Sequence, residues 1–202
     1  MRGSLIILCF FITGVLAARF GWLPVALQGG DLSRYVLYGL MFLVGMSIGS
    51  DTKVLRGMRR QSAKIVLVPL ATLLGTLGGT AAASLLLPRL GVWDSLAVGS
   101  GFAYYSLSSV FITELRGPEL GTVALVANIL RELFTLLCAP LLVRWFGRLA
   151  PICSGGATTM DTTLPVIART SGTDYVVVSI FHGCVMDFSV PFLVTFCCRM
   201  AG

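Results

Sequence analysis

Charge is scarce in this sequence. Lys and Arg number 15, Asp and Glu 9, and together they make up 12% of the 202 residues. A soluble domain carries about twice that fraction, so an ordinary water-facing surface is excluded. Histidine occurs once, at His182. The six cysteines include no C-x-x-C pair, and no metal-ligand cluster appears. Cys9, Cys138, Cys184, Cys197 and Cys198 lie in apolar runs and Cys153 near one, which suits small fillers of helix interfaces. A P-loop is lacking, and so is a nucleophile elbow with its Ser/His/Asp partners. A primary pump in a single chain is thereby excluded, an enzyme has no reactive set, and no cofactor is expected. Low-complexity tracts are missing, and the loops are too short for a second, soluble domain.

What the chain does have is apolar length. Hydrophobic residues make up 56%, gathered into runs poor in charge: Gly3–Ala18, Tyr35–Ser50, Ile65–Pro88, Ser95–Thr113 and Tyr175–Cys198. A helix needs about 20 apolar residues to cross a hydrocarbon core of about 30 Å. Barrel strands would alternate apolar and polar residues over about ten positions, and these runs do not. Helices are the remaining structure that satisfies its own backbone in lipid. The expected fold is all-α: a polytopic transmembrane bundle of about six helices plus broken or re-entrant segments, with 1–202 as a single transporter domain. The net charge of +6 does not indicate nucleic acid, because the basic residues cluster at the ends of apolar runs, where cytoplasmic Lys and Arg belong.

Helices are expected over roughly 4–24, 33–50, 65–88, 94–113, 119–143 and 174–198, with a short segment at 151–168. The first is read as a retained helix, although Arg2 and Leu5–Ala18 have a signal-peptide flavour. Gly75, Gly78, Gly79 and Ala81–Ala83 on the third let backbones approach closely, which favours a central place. The basic loop 51–64, with Lys53, Arg56, Arg59, Arg60 and Lys64, reads as cytoplasmic. That puts the 89–94 loop outside. It also puts Arg144 and Arg148 outside, in conflict with the same rule.

Ionisable groups within membrane spans mark function. Arg131 and Glu132 interrupt the fifth run, with Asn128 one turn before Glu132. Neighbouring helix positions point apart, so the two charges have different partners: Glu132 and Asn128 line a polar path, and Arg131 holds another carboxylate or reaches the interface. The stretch Ser154–Pro165, rich in Gly and Thr with Asp161 as its acid, makes a poor continuous helix and has the character of an unwound transporter segment. Gly99–Ser109, with Tyr104, Tyr105 and Ser106, is a second polar break. Asp187 needs a partner if buried. Asp51 closes the second helix, and the lone His182 reads as a packed hydrogen-bonding group.

Together, GSGFAYYSLSSVFITELRGPELG, ANILRELFTLLCAPLL, CSGGATTMDTTLPVIARTSG, HGCVMDFSVPFL and YGLMFLVGMSIG resemble the LysO-type lysine exporter family of bacteria. The resemblance spans nearly the whole chain. It implies export of L-lysine, and of analogues such as thialysine, through the bacterial inner membrane. Glu132 and Asp161 become the favoured acids, with Asn128, Tyr104, Tyr105, Ser106 and Thr162 beside the substrate and Glu132, Asp161 and Asp187 coupling a proton or sodium. Many members are longer at the N-terminus, which implies a homodimer or a small membrane protein as partner. The mechanism expected is cation antiport by alternating access. Export of another small amino acid, or a non-transporting membrane subunit, are the alternatives.

Overall fold

The computed structural model describes residues 64–87 and 90–202, together with Thr13, Leu16, Arg19, Phe20 and Met46. It divides into two compact units, Met1–Met46 and Ser47–Gly202. In the first, Thr13, Leu16, Arg19 and Met46 are helical. The expected helices 4–24 and 33–50 otherwise lie outside the described residues, as do Asp51 and the basic loop up to Ala63. The architecture that follows belongs to the second unit.

Among the described residues there is no strand. Helix α1 covers Lys64–Ser84, α2 Val92–Gly99, α3 Tyr105–Arg116, α4 Pro118–Phe146, α5 Ala150–Gly155, α6 Leu164–Ser171 and α7 Val176–Met200. A 3-10 turn, Gly156–Met160, continues from α5, and another, Thr173–Tyr175, leads into α7. Among the described residues, three stretches are long and apolar enough to cross a membrane: Ile65–Ser84, Pro118–Phe146 and Thr173–Met200. Pro118 opens α4, where its missing N–H costs nothing. The 29 residues of α4 reach about 43 Å at 1.5 Å each. Its outer side bears Leu130, Phe134 and Leu137, all exposed, and such a surface is suited to lipid or further helices.

The region expected as one helix over 94–113 is instead two helices folded back on each other. Arg116, the last residue of α3, donates from Nε to Asp94 Oδ1 at 2.8 Å and from Nη2 to Asp94 Oδ2 at 3.1 Å. A continuous helix would hold these residues about 33 Å apart. The pair closes a hairpin, α2–α3, whose tip is residues 100–104. Asp94 raises the pKa of the Arg116 guanidinium through these bonds.

The segment expected at 151–168 also doubles back. Ile152 of α5 and Ile167 of α6 share one buried cluster with Ile65, Val68, Val178 and Phe181, where a continuous helix would part them by about 22 Å. Its tip is 156–163.

The two hairpins enter from opposite ends. Arg116 also donates to the Gly202 carbonyl, and Trp93 meets Phe196 edge-on, so the mouth of α2–α3 lies where α7 finishes and α4 starts. The mouth of α5–α6 lies where α1 and α7 start. Each hairpin is followed by a long span, and these spans, α4 and α7, run antiparallel. The chain from Val92 onward is therefore one unit, hairpin plus span, used twice in inverted orientation. The tips carry related sequences, Ser100-Gly101-Phe102-Ala103 and Ser154-Gly155-Gly156-Ala157. Asn128 and His182 each stand 25 positions after the matching alanine.

On α1, Thr72 and Thr80 face this core, while Gly75, Gly78 and Gly79 meet nothing among the described residues. Among the described residues, the glycine face expected to seat a neighbour is uncovered.

Candidate functional site

The tips touch. The Ala157 N–H donates to the Phe102 carbonyl at 2.8 Å, and a Cβ on Gly156 would collide with that carbonyl. Gly156 has φ +63°, a left-handed conformation that glycine adopts without penalty. Opposite it, Phe102 and Ala103 have φ +43° and +68°, at a cost of order 1–3 kcal/mol each. Three bonds hold them: the one from Ala157, one from the Phe102 N–H to the Gly99 carbonyl at 3.3 Å, and one from the Ala103 N–H to Asn128 Oδ1 at 2.8 Å.

Asn128 is buried, and its amide is committed to backbone. Besides accepting from Ala103, it donates from Nδ2 to the carbonyls of Val98 at 3.2 Å and Ala124 at 2.9 Å. The second tip is tied through hydroxyls. Thr159 Oγ1 lies 3.1 Å from His182 Nδ1, and His182 Nε2 lies 2.8 Å from Thr72 Oγ1. Ser179 Oγ donates to the Thr159 carbonyl at 2.7 Å. Gly183 lets Met160 approach, since a Cβ there would press on the Met160 N. His182 is fully buried and bridges α1, α7 and the second tip. Asn128 and His182, equivalent in the repeat, thus each brace one tip.

Arg131 stands at the crossing. Its Nε donates to the Ser154 carbonyl at 2.9 Å and its Nη2 to the Cys153 carbonyl at 3.2 Å. The guanidinium carbon lies 5.5 Å from the Phe102 ring centroid, a cation–π contact. Thr135, one turn on, meets Ser154 Oγ at 2.7 Å.

The acids differ in setting. Asp187, midway along α7, is 4% exposed. Among the described residues its carboxylate has no hydrogen bond or ion pair, while Asp161 acts on it electrostatically and both act on Tyr104. Asp161 is exposed at the second tip and accepts from the Thr162 N–H and, at 3.4 Å, from the Thr162 hydroxyl. Glu132, at the middle of α4, is half-buried with no such partner among the described residues. Tyr104, Asp161, Thr162 and Asp187 are thus one neighbourhood, and Asn128 braces the tip beside it. Tyr105 is half-buried and Ser106 exposed on the first turn of α3, and neither side chain hydrogen-bonds to these residues.

Sequence reasoning missed the bracket made by Arg131 and the link from Thr72 to Thr159 through His182. Among the described residues, no group of three or more His, Cys, Asp or Glu is placed to hold a metal.

Three long apolar helices around two polar hairpin tips define an α-helical membrane protein. The family model for the lysine exporter LysO matches residues 8–198, and the chain belongs to that family. It is 34% identical over 166 residues to the lysine exporter LysO of Escherichia coli K12, covering 82% of this chain and 54% of that one. It is 32% identical over 162 residues to a putative lysine exporter of Haemophilus influenzae, covering 80% of this chain and 82% of that one. The chain thus spans about half the length of the first relative and most of the second. No solved structure matches it.

Proposed function

We propose that this chain is a single transport domain that exports L-lysine, and analogues such as thialysine, from the cytoplasm by cation antiport with alternating access. The observation that carries the reading is the meeting of two hairpin tips beside carboxylates that have no cationic partner among the described residues: Asp161, Asp187 and, on α4, Glu132. Two substrate ammonium groups find their complements in Glu132 and Asp161. Tyr104 and Tyr105 cover the aliphatic stem, and Ser106 and Thr162 offer hydroxyls at its edge.

Coupling follows from charge. Lysine carries one net positive charge, and moving it outward costs about 2.3 kcal/mol per 100 mV of negative interior. An incoming proton, taken by Glu132, Asp161 or Asp187, cancels that movement. Sodium would do the same, held by hydroxyls and carbonyls of the second tip.

The orientation we propose is multi-pass in the bacterial inner membrane, with the end bearing Lys64, Arg144, Arg148 and Arg169 in the cytoplasm. The other end mixes Arg116 and Arg199 with Asp94, Glu114 and Glu119. Because α2–α3 turns back rather than crossing, Arg144 and Arg148 fall on the same side as Lys64, and the conflict in the sequence reading disappears. A second copy of the chain, or a small membrane protein, would supply the additional N-terminal membrane region that longer members of the family carry.

The test is tolerance of thialysine in cells lacking their own lysine exporters. Expression of the chain should restore growth, and Glu132→Gln or Asp161→Asn should remove that protection with the protein still in the membrane. Full protection by both variants would reject the assignment of these acids. Competition by other amino acids separates a lysine exporter from an exporter of a different one. A non-transporting subunit would protect in no case.

A further inference from the structure

We propose that Arg131 recognises the α-carboxylate of the exported amino acid, so that the site takes α-amino acids and discriminates against analogues whose carboxylate is missing or neutralised. The inference rests on the exporter reading above and adds the group that the acids cannot supply. A cationic amino acid has two ammonium groups and one carboxylate, so a site built only from Asp and Glu would repel one end of it.

Arg131 is the cation placed to serve. The other cations described in the second unit, Arg116, Arg144, Arg148, Arg169 and Arg199, lie toward the ends of the helices, while Arg131 lies at the crossing, under the Phe102 ring of one tip. Its guanidinium is held from behind: Nε and Nη2 are taken by the Ser154 and Cys153 carbonyls at the end of α5. Among the described residues, Nη1 has no acceptor and no carboxylate forms an ion pair with this guanidinium. Glu132 is its chain neighbour, and adjacent helix positions point apart. The carbonyls of a short helix end compensate only part of a full positive charge, and a charge largely removed from water calls for an anion. The residue as a whole keeps partial exposure. A planar fork with donors to spare is the geometry that carboxylates prefer. Two bonds to backbone fix the fork's orientation before any ligand arrives, which lowers the entropic cost of binding.

The test is uptake of radiolabelled lysine into inside-out membrane vesicles from cells lacking their own lysine exporters, competed by unlabelled lysine, by lysinamide and by 1,5-diaminopentane. Lysinamide keeps both amino groups and replaces the carboxylate with a neutral amide, while 1,5-diaminopentane keeps both as ammonium and has no carboxylate. With the unaltered chain, lysinamide and the diamine should compete at least about tenfold more weakly than lysine, the size of a charge-assisted hydrogen bond. In Arg131→Gln that ratio should fall to about one, because lysine loses its advantage while the analogues have none to lose. Arg131→Lys, which keeps the charge without the fork, should retain part of the preference. If Arg131→Gln no longer transports, equilibrium binding of labelled lysine to the purified variant supplies the same ratio. A purely structural role for Arg131 would weaken all three competitors together and leave the ratio unchanged, and that result overturns the proposal. So does an unaltered chain that treats lysine and lysinamide alike. Absence of lysine uptake by the unaltered chain would instead strike the exporter reading itself.

Discussion

Asn128 shows how a residue singled out from sequence acquires its role from structure. Its place inside an apolar run marked it as polar and unusual, which was legible. That its amide would serve the Ala103 N–H and the Val98 and Ala124 carbonyls was not, because partners at a sequence distance of 25 or 30 leave no periodic trace. Asn128→Ala should destabilise the protein by about 1–3 kcal/mol through the buried Ala103 N–H left without an acceptor, seen as a lower unfolding temperature in detergent. Stability unchanged within error would show that the first tip does not depend on this brace. Asp187 is the other residue whose setting decides its role. Its burial, together with the influence of Asp161, suits a carboxylate that exchanges its cation or proton during the cycle. Asp187→Asn preserves shape, so the membrane level of the protein should hold while lysine efflux loses its dependence on external pH. An unaltered pH dependence would assign coupling elsewhere.

Among the elements, length and composition identified the spans well. The expected helices 65–88, 119–143 and 174–198 correspond to Lys64–Ser84, Pro118–Phe146 and Val176–Met200. The sequence shows a polar break at Gly99–Ser109 but not that the helix reverses there, because an uncharged run satisfies lipid whether it crosses or doubles back. The information that it folds back lies in the left-handed pair at Phe102 and Ala103 and in the Asp94–Arg116 ion pair, neither of which periodicity reveals. The repeated Ser-Gly-x-Ala at 100–103 and 154–157 was available in the sequence as a sign of two equivalent tips. Gly156 is the position on which their crossing turns. Gly156→Ala would place a Cβ against the Phe102 carbonyl and strain a left-handed residue, so it should abolish transport at normal membrane levels. Normal transport by this variant would mean that the tips need not touch.

For the whole molecule, folding α2–α3 back reverses the direction of everything after it. The prediction concerns sidedness: in a variant lacking the native cysteines, a cysteine at Gly202 should react with a membrane-impermeant maleimide in intact cells. One at Arg148 should react only after permeabilisation. The opposite pattern would restore a crossing over 94–113. The inverted repeat is compatible with the alternating access proposed above, since two equivalent hairpins opening to opposite sides can exchange roles without a new fold. The measurement that bears most directly on the account is efflux of radiolabelled lysine from loaded cells lacking their own lysine exporters, with the chain expressed alone and with a small membrane partner. The account predicts efflux above that of empty cells, faster when the medium is acidified and lost in Glu132→Gln. Efflux equal to that of empty cells in both arrangements, with the protein confirmed in the membrane, would contradict it.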